Sequence, residues 1–531
     1  MTLAVGNDKR AGMDDRPVAS ENSGVGPWLL RWPAIAVFAF AAVLPLLFTA
    51  IPPLIDLPGH LGRYAIQAAG PDSPLRNYFD FHGSLSLNLG VDLAVEGLRG
   101  AFGLVGALWA VVAATTVMTV LGLFLIARAG NREGAYALSW ALPFVHGFAF
   151  RHGFVNYSLG VALSLLGFAL WLHLAHRPKL RAALTLPLAP ILLVVHAVGG
   201  GLLMVLIGGR EAWIAWRAGD GRKLLVAWPL AGGILLAAAF ILFGNSSGGA
   251  TRWVLERKLD GLMMPVRDQY ILLDIGTVLL TIAVLATGFR AGAKLREAGA
   301  VVALALLFVV TPALLSGVAH VDSRLVPVLA MLAIALQDWS AVLPGLRRAV
   351  MVAGLGLFAV RLAVTTTAFA GYNASYRSEL TVMPHIAPGS RVLALTQIEC
   401  GLAGWREARL DHISNLASLY RDAWVNSHWA AEGVQLLQVR YRPSNEYYVD
   451  PSEFVWPERC IEMAKPFEAR SRHTLAETLP RLPVERVDYV WLLGVHTPAG
   501  FADPRLTRIW SNGRSALYAV RAPVHNSASR P

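Results

Sequence analysis

Residues 32–63 read WPAIAVFAFAAVLPLLFTAIPPLIDLPGHLGR. An uncharged apolar run from Trp32 to Ile55 ends abruptly in the charged octet Asp56 to Arg63. A helix needs about 20 apolar residues to cross about 30 Å of hydrocarbon, so the run is long enough to span. It begins only at Trp32 and leads into Pro53-Leu54-Ile55-Asp56 with no small-residue cleavage site, so it reads as a retained span and not a secretory leader. The octet is then delivered to the lipid-water boundary.

Working outward, composition fixes the environment. Over 531 residues, 55% are hydrophobic and 15% charged, and the mean hydropathy is +0.50. That is too apolar for a soluble chain. Repeated apolar runs predict about eleven transmembrane helices, near 34–55, 105–127, 134–150, 155–174, 182–195, 198–216, 224–243, 271–289, 298–317, 325–342 and 349–370. The net charge of +11 does not point to nucleic acid. Its basic residues sit mainly in alternate short loops, at Arg128 and Arg132, Arg177 to Arg181, Arg210 to Lys223, Arg290 to Arg296, and Arg347 and Arg348. The positive-inside rule puts those loops and residues 1–30, expected to be disordered, in the cytoplasm. An odd span count then places the tail 371–531 outside, on the same side as the octet.

Both cysteines, Cys400 and Cys460, lie in that tail. A pair confined to an extracytoplasmic segment reads as a disulfide, worth about 4 kcal/mol for a loop of this size in the chain-entropy model. Two unrelated buried thiols are the plainer alternative. The tail otherwise changes character: short strands are predicted at 391–395 and 487–493, a helix at 474–482, and a hairpin joining 506–509 to 516–520 through Ser511-Asn512-Gly513. This is the pattern of a small α/β domain. With no phosphate loop, metal-ligand spacing or nucleophile elbow in it, the tail is expected to be a lid or an acceptor-binding module.

If 57–69 is helical, Asp56, His60 and Arg63 recur at i, i+4 and i+7 on one face. A carboxylate there suits deprotonation of an acceptor hydroxyl, and His60 and Arg63 suit a departing phosphate. The plainer alternative is that Asp56 caps the helix, with Pro58 in its tolerant first turn. The octet, Phe150-Arg151-His152-Gly153-Phe154-Val155-Asn156-Tyr157-Ser158-Leu159-Gly160 and Asp322-Ser323-Arg324 resemble the corresponding patches of bacterial membrane proteins placed near the GT-C superfamily of glycosyltransferases. The arrangement resembles that superfamily too: an acid directly after the first span, a helical outer loop at 56–104, a transmembrane domain at 31–370 and an outer carboxy-terminal domain.

The resemblance implies transfer of a sugar from a polyprenyl-phosphate donor to an extracytoplasmic glycan, lipid or protein acceptor, at the plasma membrane of a bacterium. Asp56 would be the catalytic base. His60, Arg63, Arg151, His152, Asn156, His196, Asp322 and Arg324 would bind substrate, and a divalent cation is an optional cofactor. Where characterised members carry an acidic pair, Asp56 is followed by Leu57; Asp92 and Glu96 are the other acids of the loop. Each patch also has a plainer reading: Arg151 and His152 as interfacial anchors, His196 as a solvated turn residue, and the basic, apolar loop 244–270 as a helix lying on the membrane. Arg361 falls inside the last span, where a charge needs a partner or an anionic ligand.

Two further functions fit the same residues. A transporter or flippase of lipid-linked sugars would place polar sites near the midplane on broken helices, often in repeated halves, and no repeat is evident. A non-catalytic assembly protein would need only the outer domain. The cysteine reading is checked by peptide mapping without reduction, which is expected to recover Cys400 and Cys460 in one linked pair; alkylation of both thiols in the unreduced protein would refute it.

Overall fold

The computed structural model describes residues 26–521, apart from 82, 84, 133, 244–249, 400–404, 407, 431–435, 462–472 and 496–502. Most of the segment expected to be disordered, 1–30, lies outside this set, and Gly26–Leu29 form a short helix.

Among the described residues, seven helices are long and apolar enough to cross a membrane: Gly90–Gly130, Val155–His173, Pro178–Val195, Ala197–Ala218, Gly221–Phe243, Ile271–Arg290 and Pro344–His385. Three shorter apolar helices, Trp32–Leu47, Ala298–Val310 and Leu325–Ala335, accompany them. The protein is an integral membrane protein, and its outward faces carry large apolar side chains such as Ile241, Phe243, Leu272 and Val310, each more than 60% exposed.

One of the about eleven expected spans takes a form unlike the others. Segment 134–150 is a 3-10 helix, Ala135–His146, followed by the single helical turn Phe148–Arg151. Every residue of Ala135–His146 is buried. Pro143 lies inside the segment, and the wall against it is tight: a Cβ at Gly354 would lie 2.4 Å from Ser139 Oγ. Trp140 Nε1 donates to the Val350 carbonyl at 2.8 Å, so this apolar run is enclosed by neighbouring helices. In Gly90–Gly130, Gly103 has φ +67° and interrupts the helix, so the outer-loop part ends where the span begins.

Pro344–Leu380 continues past the expected end of the last span at 370. At about 1.5 Å per residue it is roughly 55 Å long, well beyond a bilayer's hydrocarbon. Its far end is fixed to the tail, where Tyr376 Oη donates to the Arg409 carbonyl at 2.6 Å and Ser515 Oγ donates to Glu379 at 2.9 Å. Arg361, on the same helix, is buried against Asp274 of Ile271–Arg290 and donates to the Val266 carbonyl at 2.5 Å. Asp274 also accepts from Trp405 Nε1 at 2.8 Å, and Arg409 pairs with Asp268 at 2.5 Å, so one buried ion pair and one hydrogen bond join the tail to the chain at and just before Ile271–Arg290.

The tail sheet centres on Arg391–Gln397. Tyr489–Leu493 lies parallel on one side, followed by Ala516–Val520 and then Leu506–Ser511, both antiparallel to their neighbours. On the other side, Trp424–Val425 pairs with the start of the central strand and Phe454–Val455 with its end, both parallel. Leu475–Thr478 begins with a capping box between Thr474 and Glu477. The outer loop joins the tail directly, because Phe79–Phe81 pairs antiparallel with Leu437–Val439. Cys460 is buried and disulfide-bonded; Cys400, its expected partner, lies outside the described residues.

The buried pair between Arg361 and Asp274 gives a stability test. Arg361→Leu leaves a buried carboxylate without its cation, and unfolding in detergent should show a loss of about 3–5 kcal/mol. The Arg361→Leu/Asp274→Leu double variant should lose less than the sum of the singles. Additive losses would show that the two do not act as a pair.

Candidate active site between the octet and the tail

After Trp32–Leu47 the chain runs through Pro52 and Pro53, then hydrogen-bonds to a second patch picked out in the sequence. Ile55 N donates to the Arg151 carbonyl at 3.1 Å and Asp56 N to that of His152 at 2.9 Å. Gly153, at φ +82°, makes room for this approach: a Cβ there would lie 2.9 Å from Asp56 N. Helix Leu57–Ala68 follows, with Pro58 in its first turn. Asp56 occupies the capping position but its side chain caps nothing. Its carboxylate turns to the tail, with Oδ1 at 3.7 Å from His412 Nε2. Burial pushes this carboxyl up to about 6, against the pull of His412 and Arg324 and with Asp450 adding to the rise.

The tail comes this close because the octet's two glycines face it. A Cβ at Gly59 would sit 2.4 Å from the Trp429 ring, and one at Gly62 would sit 2.5 Å from the Asn415 carbonyl oxygen. Trp429 in turn packs between His60 and His412, with ring centroids 5.3 and 4.7 Å away. On its other side His412 presents Nδ1 to Glu453 Oε1 at 3.5 Å. Glu453 immediately precedes Phe454–Val455, and its carbonyl accepts from Thr396 N at 2.7 Å. The cluster thus lies at the carboxyl end of the central parallel strand, where α/β sheets commonly bind ligands.

One ligand atom each from His412, Asp450 and Glu453 falls within 4.8 Å of the others, a spacing that could hold a metal ion. Burial pushes Glu453 up to about 8. Asp450 and Asp411 are also raised well above the ordinary carboxylate range, first by burial and then by neighbouring carboxylates. Sequence reading found no metal ligands in the tail. The only local signals were the adjacent Asp411-His412 and the Asp450-to-Glu453 spacing, which mean little until the fold joins them.

The other singled-out residues divide. Arg63 is buried against Asp92 at 2.5 Å, and Asn156 donates to the same Asp92 at 3.1 Å and accepts from Val91 N at 2.5 Å. These three lock the octet helix to its neighbours, so Arg63 and Asn156 do not stand open to a phosphate. Glu96 pairs with Arg99 on the surface. Burial and Arg63 push His60 down to about 3, leaving a neutral ring where an anion-binding cation was expected. Arg151 is fully buried and donates to the His146 carbonyl. His152 packs against Phe148, with centroids 3.9 Å apart, and lies near His320. His196 caps Ala197–Ala218 by accepting from Gly199 N at 3.0 Å. Asp322 accepts from Lys258 Nζ at 3.3 Å and so anchors helix Leu255–Met263, whose Leu255 and Leu259 are exposed as the interfacial reading expects.

Arg324 remains available. Its guanidinium lies 3.6 Å from the Phe154 ring centroid, one NH2 donates to the Ala319 carbonyl at 2.9 Å, and its buried Nε has no partner. It is close enough to Asp56 to lower that carboxyl. The crevice beside Arg324, Tyr157 and Met331 measures about 30 Å³, roughly one water, so an open apolar groove for a polyprenyl chain is not formed there. The large cavity, about 720 Å³, lies on the tail side between Tyr372, Gln397, Arg406, Asp411, Arg459 and Arg514. Asp411 lines it, and the next residue, His412, faces Asp56.

No family model matches the chain, and no curated protein matches it. Among solved structures it is similar to the crystal structure of ArnT from Cupriavidus metallidurans in the apo state, with a TM-score of 0.49 and 12% sequence identity, over 91% of this chain and 97% of that one. A likeness at that score carries no argument about chemistry.

Proposed function

We propose that this protein is a GT-C-type integral-membrane glycosyltransferase that moves a sugar from a polyprenyl-phosphate carrier to a hydroxyl-bearing glycan, lipid or protein acceptor. Its setting is a bacterial plasma membrane, with the amino terminus cytoplasmic and the octet and tail outside. The carrying observation is Asp56: a carboxylate a few residues after the apolar helix Trp32–Leu47, free of any capping role, with a raised proton affinity and the tail directly opposite.

In this reading Asp56 removes the proton from the acceptor hydroxyl as its oxygen forms a bond to the anomeric carbon. The bond between that carbon and the phosphate oxygen breaks, and the polyprenyl phosphate leaves as an anion. Arg324, whose Nε has no partner, faces the phosphate. The cavity beside Asp411 receives the acceptor, consistent with the expectation of the tail as an acceptor-binding module. Of the other outer-loop acids, Asp92 is committed to Arg63 and Glu96 to Arg99, which leaves Asp56 as that loop's base.

Comparison of surface glycans and lipids by mass spectrometry, from cells with and without the protein, should reveal one missing sugar and so name the product. Asp56→Asn should lower transfer by about 10²–10⁴-fold with donor binding nearly intact. Arg324→Ala should weaken donor binding through loss of a charge-assisted hydrogen bond worth about 1.5–3 kcal/mol. Full transfer by the Asp56→Asn variant would remove the catalytic assignment.

A further inference from the structure

The Glu453 side chain is completely buried and neither carboxylate oxygen makes a regular hydrogen bond; the nearest groups are His412 Nδ1, 3.5 Å from Oε1, and the Asp450 carboxyl. His412, 6% exposed, has an Nδ1 likewise without a hydrogen-bond partner. These unpartnered atoms converge with Asp450 on one point. A buried carboxylate ordinarily finds donors or a counter-ion, because leaving it bare costs several kcal/mol. Here the nearest charged groups make matters worse: Asp56 lies on the other edge of the same imidazole, and Asp411 feels both Glu453 and Asp450. Among the described residues, His412 and Arg324 are the groups of positive or potentially positive charge that act on Asp56.

We propose that His412, Asp450 and Glu453 form a binding site for a divalent transition-metal ion, with the Asp56 carboxylate beside it. One imidazole with two carboxylates suits Zn²⁺ or Mn²⁺ better than Mg²⁺ or Ca²⁺, which favour all-oxygen shells. A bound dication offsets the crowded carboxylates and ties together two stretches of the tail, around His412 and around Asp450 to Glu453, with Asp56 of the octet across the imidazole. The site rests on its own geometry and holds whether or not the protein transfers sugar.

The test uses the full-length protein in nanodiscs, freed of any histidine tag, stripped with a chelator and titrated separately with Zn²⁺, Mn²⁺, Mg²⁺ and Ca²⁺. Elemental analysis should give about one equivalent of Zn²⁺ or Mn²⁺ per chain, with a rise in Tm. Glu453→Gln and Asp450→Asn should each weaken binding at least tenfold, whereas Glu96→Gln on the surface should leave it unchanged. Thermal stability supplies a second readout that a folding defect would not imitate. In the metal-free state Glu453→Gln should melt higher than the unaltered protein, because it removes a buried carboxylate, and saturating Zn²⁺ should reverse the order. The proposal is overturned by less than a tenth of an equivalent bound, by binding indifferent to Glu453→Gln, or by tighter binding of Mg²⁺ or Ca²⁺ than of Zn²⁺ and Mn²⁺.

Discussion

The octet helix and the tail touch through two positions that carry no side chain. Gly59 and Gly62, one helical turn apart, open a strip on Leu57–Ala68 into which Trp429, Asn415 and His428 press. Even a methyl group at either position would drive into a ring or a backbone carbonyl. Everything in the candidate site follows from that proximity. It brings His412 to Asp56, sets Trp429 between two histidines and leaves the strand-end carboxylates facing the membrane boundary. The same contact explains why Asp56 is not a helix cap, since its carboxylate is turned toward the tail rather than back over its own helix.

Docking is reinforced by charge. A guanidinium within an apolar helix is costly unless matched, and Arg361 is matched by Asp274, itself on an apolar helix. Arg409 and Asp268 repeat the arrangement a short distance away, with Thr365 hydrogen-bonded to Asp268 at 3.3 Å. Buried pairs of this kind add little net stability relative to apolar packing, but they penalise any arrangement that separates the partners. They therefore act on register: Arg361 and Asp274 fix one membrane helix against another, and Arg409 fixes the tail against Asp268.

Much of this was legible in the sequence because local physics dictated it. The octet stands out as charge after apolar length, and the tail strands stand out as short apolar runs bounded by turns, with Ser511-Asn512-Gly513 joining two of them. The form of the run at 134–150 was not legible, because composition cannot distinguish a helix that faces lipid from a 3-10 segment enclosed by protein. Arg63 misleads for a related reason. Spacing puts it on one face with Asp56 and His60, and only the fold supplies Asp92 as its partner. The tail acids were invisible as a group because His412 meets Glu453 through the parallel pairing of Phe454–Val455 with the end of Arg391–Gln397, a contact that no local pattern encodes. Arg361 was legible as an anomaly, and its explanation required a residue on another helix.

The unbroken helix Pro344–Leu380 has a mechanical meaning. Its membrane part must tilt to suit the thickness of the surrounding bilayer, as any long apolar helix does, while its far end is bonded to the tail through Tyr376 and Glu379. A helix that runs without a break from the apolar layer into a bonded domain carries any change in its tilt to that domain.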